Sequence, residues 1–151
     1  LYELNIINPD IIITTWNKII DKDVILKYNN QMINLHYSLL PQYAGLMGIT
    51  PIKKAIKDRS NYIGATCHYI NEQVDAGEII CQFKLKNNFN LNSMIKKIFK
   101  NGCLILLNSI IIIKKQNIVE RKKNLNTKFN PELTYDEKKF DDEFWSLLLK
   151  L

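Results

Sequence analysis

Histidine, glycine, proline and cysteine are scarce in this chain of 151 residues, which has two, five, four and three of them respectively. Cys67, Cys81 and Cys103 are odd in number and lack metal-ligand spacing, which excludes a disulfide-stapled fold and a zinc ribbon. They read as buried thiols in a reducing cytoplasm. No apolar run is long enough to cross a bilayer. The longest, CLILLNSIIII (Cys103 to Ile113), is broken by Asn108 and Ser109 and predicts a buried helix instead. No signal peptide, internal repeat or low-complexity segment is read in these residues, and no membrane partner is expected. Acidic residues are fewer than basic ones, 15 against 21, giving a net charge of +6. That permits an anionic partner without selecting one. Much of the excess lies in Lys96, Lys97, Lys100, Lys114, Lys115, Arg121, Lys122 and Lys123. Strung along one helix and its exit, and not interleaved with aromatics on one surface, these charges fit a solvated face better than a nucleic-acid stripe. What remains is 46% hydrophobic and 24% charged, an ordinary globular composition with enough length for one cored domain.

The few breakers punctuate the chain. Leu1 to Ile7 reads as the end of an amphipathic helix, and Asn8-Pro9-Asp10 as a turn. Ile11 to Thr15 is a β-branched run that suits a buried strand. Asp21 opens a short helix to about Tyr28, and Met32 to His36 reads as a second strand. After a breaker-rich loop, Thr50 is placed as an N-cap with Pro51 at the first helical position, for a helix to about Asp58. Tyr62 to Ile70 and Glu78 to Leu85 read as a strand pair, Leu91 to Lys115 as a long helix, and Ile118 to Arg121 as a short strand. The alternation implies an α/β domain with a mostly parallel sheet, whose ligands bind beyond the carboxyl ends of the strands. The domain is expected over residues 1–123, with a tail at 124–151 packing on it through Phe140, Phe144 and Trp145.

One of the two histidines sits in INLHYSLLP, Ile33 to Pro41. Side chains alternate along a strand, so Asn34 and His36 share a face at its carboxyl end. An amide donor beside an imidazole can hold an oxyanion that develops on a carbonyl. Asp75, before Ala76-Gly77 in a loop, is the best third member to orient or charge the ring, ahead of Asp10, Asp21 and Asp58 at helix boundaries or turns. A strand-end histidine that is merely hydrogen-bonded, and an aspartate that merely makes a turn, are the structural alternatives. These residues alone support an α/β domain with an acyl-transfer site.

INLHYSLLPQYAG followed by GATCHYINEQVDAGEIICQ closely resembles the folate-dependent formyltransferases, from about Asn8 to Gln82, in their Asn-x-His-x-Ser-Leu-Leu-Pro, Gly-x-Thr-x-His and Asp-x-Gly-x-Ile-Ile-x-Gln elements. The resemblance implies a Rossmann-like domain that moves a formyl group from formyltetrahydrofolate to an amine, with no metal. Asn34, His36 and Asp75 would be catalytic, with His36 an imidazolium. Ser38, Thr66 and His68 would support the loop or substrate. Thr15, Trp16, Ile20, Ile70, Asn71 and Val74 would bind the folate. The favoured acceptor is glycinamide ribonucleotide, a phosphorylated small molecule of purine biosynthesis. Another amine, such as a nucleotide-linked amino sugar, is the runner-up, and a non-catalytic folate- or partner-binding remnant is the reading from another class. Tyr37 departs from the family's proline, and replacing it by proline is expected to be tolerated. The chain begins on Leu1, without the family's first strand and glycine-rich loop, so it is expected to be the carboxyl-terminal part of the domain.

Overall fold

The computed structural model describes residues 2–14, 18–115, 128–134, 143, 144 and 146. The elements run α1 (Tyr2–Ile7), β1 (Ile12–Thr14), α2 (Lys22–Lys27), β2 (Met32–His36), α3 (Thr50–Lys57), β3 (Tyr62–Tyr69), β4 (Ile79–Lys86), α4 (Leu91–Lys115) and β5 (Lys128–Asn130). The strands form one sheet in the order β1-β2-β3-β4-β5.

The α/β class holds, but the sheet is mixed rather than mostly parallel among the described residues. Only β1 and β2 are parallel, and the other three pairings are antiparallel. Side-chain alternation does not encode strand direction, and the helix between β2 and β3 invited a parallel crossover. At eight residues α3 rises about 12 Å, less than the roughly 16 Å of β2, so it does not carry the chain back for one.

Several boundaries reflect local chemistry. The Asp21 carbonyl accepts from Val24 and Ile25 at 3.0 and 3.1 Å, opening α2. Thr50 lies inside α3 rather than capping it. The cap is Ile49, without a side-chain bond, and the Thr50 amide is taken by the Met47 carbonyl at 3.1 Å. Proline suits that first turn because its missing N–H would have no intrahelical partner. The Asn90 side chain accepts the Ser93 amide at 2.9 Å and starts α4.

The core lies between the sheet and α4. Ile33, Ala65, Cys67, Cys81 and Phe83 meet Met94, Ile98 and Ile105, all nearly inaccessible. Large apolar side chains buried this way are worth about 1.5–3 kcal/mol each. Asn34 and His36 point the other way by alternation. β5 was not expected. It pairs Phe129 with Phe83, ring centroids 6.1 Å apart, and the chain beyond it buries Leu133 beside Leu104. The strand expected at Ile118 to Arg121 lies outside the described residues, as do Phe140 and Trp145, whereas Phe144 is described and 41% exposed.

Candidate active site

The register brings the polar residues together. β1 sets Thr14 beside Asn34, and β3 sets His68 opposite Asn34 and Thr66 opposite His36. A bulge follows Cys67: Cys67 faces Cys81, yet His68 faces Ile79, leaving Ile80 as the extra residue. Bulges commonly re-aim a side chain beside a site.

Asp75 stands between the two histidines. Its side chain is 10% exposed, and Oδ2 lies 3.4 Å from His36 Nδ1. The same oxygen accepts the Gly45 amide at 2.8 Å. Oδ1 lies 3.6 Å from His68 Nε2, too long for a hydrogen bond. Asp75 has φ +53°, the left-handed region that Asp tolerates better than most residues. His36 Nε2–H donates to the Tyr43 carbonyl at 3.1 Å. Both nitrogens of His36 therefore face acceptors, and a doubly donating ring satisfies both.

His68 differs. Its Nδ1–H donates to the Tyr69 carbonyl at 2.8 Å, which leaves Nε2 as an acceptor for the Asn34 amide, 3.3 Å away. Burial pushes the His68 imidazole below its ordinary value, against the opposing pull of the Tyr69 carbonyl and the Asp75 charge. Its neighbour Gly77 has no room for a side chain, since a Cβ there would stand 1.7 Å from the Tyr69 oxygen.

The supporting residues form a second set of bonds. Thr66 Oγ1 donates to the Ser38 carbonyl at 2.7 Å, accepts the Leu40 amide at 3.1 Å, and accepts Gln82 Nε2 at 2.8 Å. Ser38 Oγ donates in turn to the Gln42 carbonyl. Ser38 and Thr66 thus hold the loop after β2.

A solvent-open cleft has Asn34, His68 and Asp75 among its lining. Ile20, Ile70, Asn71 and Val74, expected to bind folate, line it too, together with Ile19, Ile25 and Lys18. Thr15 and Trp16 lie outside the described residues. His36 does not line the cleft. It is 6% exposed, with one ring nitrogen turned to Asp75 and the other to Tyr43. Sequence reasoning missed the Tyr43 carbonyl, the Gly45 amide and Gln82. Main-chain groups carry no residue signature, but Gln82 could have been found, because it stands opposite Thr66 once the strands are paired.

An amide donor, an acceptor imidazole and a largely covered carboxylate at one cleft can polarise a carbonyl and take up a proton. Residues 2–106, which contain all of these groups, match the family described as formyl transferase. The chain belongs to the formyl transferase family. Methionyl-tRNA formyltransferase of Caldicellulosiruptor saccharolyticus is 32% identical over 121 residues, covering 78% of this chain and 37% of the relative. Phosphoribosylglycinamide formyltransferase of Haemophilus influenzae is 36% identical over 75 residues, covering 50% of this chain and 34% of the relative. This formyl transferase chain thus spans about a third of the length of those relatives. The crystal structure of phosphoribosylglycinamide formyltransferase from Anaplasma phagocytophilum shares the fold, with a TM-score of 0.70 at 22% identity over 80% of this chain and 59% of that one.

Proposed function

We propose that this chain carries the carbonyl-activating part of a folate-dependent formyl transfer to a small amine. Glycinamide ribonucleotide is the favoured acceptor, supported by the 36% identity to the Haemophilus enzyme. The observation that carries the reading is the convergence of both histidines on Asp75 beside Asn34 at the cleft.

The cleft suits formyltetrahydrofolate as the formyl donor. Ile19, Ile20, Ile25, Ile70 and Val74 give apolar walls, and the polar groups gather near Asn34. The acceptor amine attacks the formyl carbon of the donor, and as the new C–N bond is kept the bond from that carbon to the donor nitrogen breaks, tetrahydrofolate leaving with a proton on that nitrogen. Asn34 Nδ2 turns from His68 to the oxyanion, a donor of the kind worth about 3 kcal/mol in the transition state. Asp75, whose carboxylate lines the cleft, takes the proton released by the amine, directly or through water, with His68 Nε2 as a second acceptor. His36 holds Asp75 in place from behind.

The test is formyl transfer by the chain to a panel of amines. His36→Ala and Asp75→Asn should each lower kcat by about 10²-fold or more, while donor binding changes little. Near-normal turnover in either variant would show that the site is wrongly placed.

A further inference from the structure

The loop between β2 and α3 offers two main-chain groups of opposite polarity to the two partners of the His36–Asp75 contact. The Tyr43 carbonyl accepts from His36 Nε2 at 3.1 Å, and the Gly45 amide donates to Asp75 Oδ2 at 2.8 Å. Only Ala44 separates them, so the conformation of one turn sets both distances. That conformation is unfavourable by itself. Tyr43 has φ +59°, where a bulky aromatic residue is rare and its backbone strained. Such a residue persists only where its surroundings hold it.

The Tyr43 side chain provides that hold. Its ring packs against the core. Its hydroxyl lies 3.1 Å from Asp58 Oδ2 and 2.8 Å from Ser60 Oγ. Lys54 contacts both Asp58 oxygens, at 2.6 and 2.7 Å. This contact keeps the Asp58 carboxyl below the usual carboxylate range, so Asp58 remains an acceptor. The tyrosine therefore donates to Asp58, and Ser60 donates to the tyrosine. The contacts run from Lys54 through Asp58, Tyr43 and His36 to Asp75, then return through Gly45 to the same turn.

We propose that Tyr43 is a positioning residue: its hydroxyl, anchored on Asp58 and Ser60, fixes the turn that orients His36 and Asp75 relative to Asn34. The inference rests on the formyl-transfer reading of the site. Tyr43 does not line the cleft, so its effect passes through His36 and Asp75.

Tyr43→Phe removes the hydroxyl and keeps the ring in the core. The full chain has two histidines, so nitrogen-detected NMR resolves both imidazoles, and His68→Gln assigns them. The His36 Nε2 proton should exchange with water at least 10-fold faster in Tyr43→Phe, while the His68 Nδ1 proton keeps its wild-type rate. With the best acceptor found, kcat should fall about 10-fold and its pH profile should move, with KM for donor and acceptor within about twofold. Ser60→Ala, a milder lesion, should move the same readouts in the same direction, and it decides the matter if Tyr43→Phe fails to fold. An unchanged His36 signal in a folded variant overturns the proposal. So does equal acceleration at both histidines, which would mean general loosening. A wild-type chain that transfers no formyl group defeats the formyl-transfer reading, while the imidazole comparison still decides whether Tyr43 positions His36.

Discussion

Asp75 meets two imidazoles of different character, and the difference comes from what each ring finds on its far side. His36 finds the Tyr43 carbonyl beyond Asp75, so it is placed to donate from both nitrogens. His68 uses Nδ1 on the Tyr69 carbonyl and keeps Nε2 as a lone pair toward Asn34. Burial holds His68 below its ordinary value, so the unfolded chain binds a proton there at a higher pH than the folded chain does. In that window the unfolded state carries more protons. Stability therefore falls as pH drops through about 6.5, the unfolded imidazole value, toward the lower folded value. Urea unfolding midpoints measured from pH 7.5 to 5 should show this decline, and His68→Gln should flatten it. An unchanged slope in that variant would mean that His68 takes up its proton over the same range in the folded as in the unfolded chain.

At the scale of elements, the helix that roofs the core also determines what may follow His36. α4 carries Gly102 where it passes β2, and a Cβ there would sit 3.3 Å from Leu35 Cδ2 and 3.5 Å from Tyr37 Cε1. Tyr37 fills the space that a small residue on the helix leaves. Burial, with Cys103 nearby, pushes its phenol up. The sequence suggested that proline would be accepted at this position, but the packing argues otherwise. Tyr37→Pro removes a partly buried aromatic ring and should cost about 2–4 kcal/mol in urea unfolding, with kcat close to wild type once the protein is folded. The distinction also shows how far reading the sequence could go. Met32 to His36 and Leu91 to Lys115 were legible because apolar spacing and flanking breakers mark them. β5 was not, because three residues of a polar tail become a strand only through Phe129 meeting Phe83 across the sheet. That Asn34 and His36 share a face was legible by alternation, and Asp75 was singled out by its loop position and by resemblance; the structure brings its carboxylate near both histidines. The second contact of Asp75, on His68, needed the antiparallel register and the bulge after Cys67, which no local pattern encodes.

At the scale of the whole molecule, the sheet separates two environments. On one side α4 closes over a dry core in which burial pushes the Cys67 and Cys81 thiols up to about 11. On the other side lies the cleft. The basic excess follows the same division in part, with Lys96 and Lys97 exposed on α4 away from the site. No helix among the described residues is long and apolar enough to cross a membrane. The pairing of β2 with β3 joins residues of matching parity, Ile33 with Tyr69 and Asn34 with His68, so odd numbers face the helix and even numbers face the opposite side of the sheet on both strands, where Asn34 and His68 reach the cleft. A saturation library scored twice, once for cellular abundance and once for activity, should therefore beat with a period of two. Substitutions at 33, 35, 65 and 67 should deplete the protein itself. Those at 34, 36 and 68 should spare abundance far more than activity, and Thr66, which ties the loop, should register in both screens.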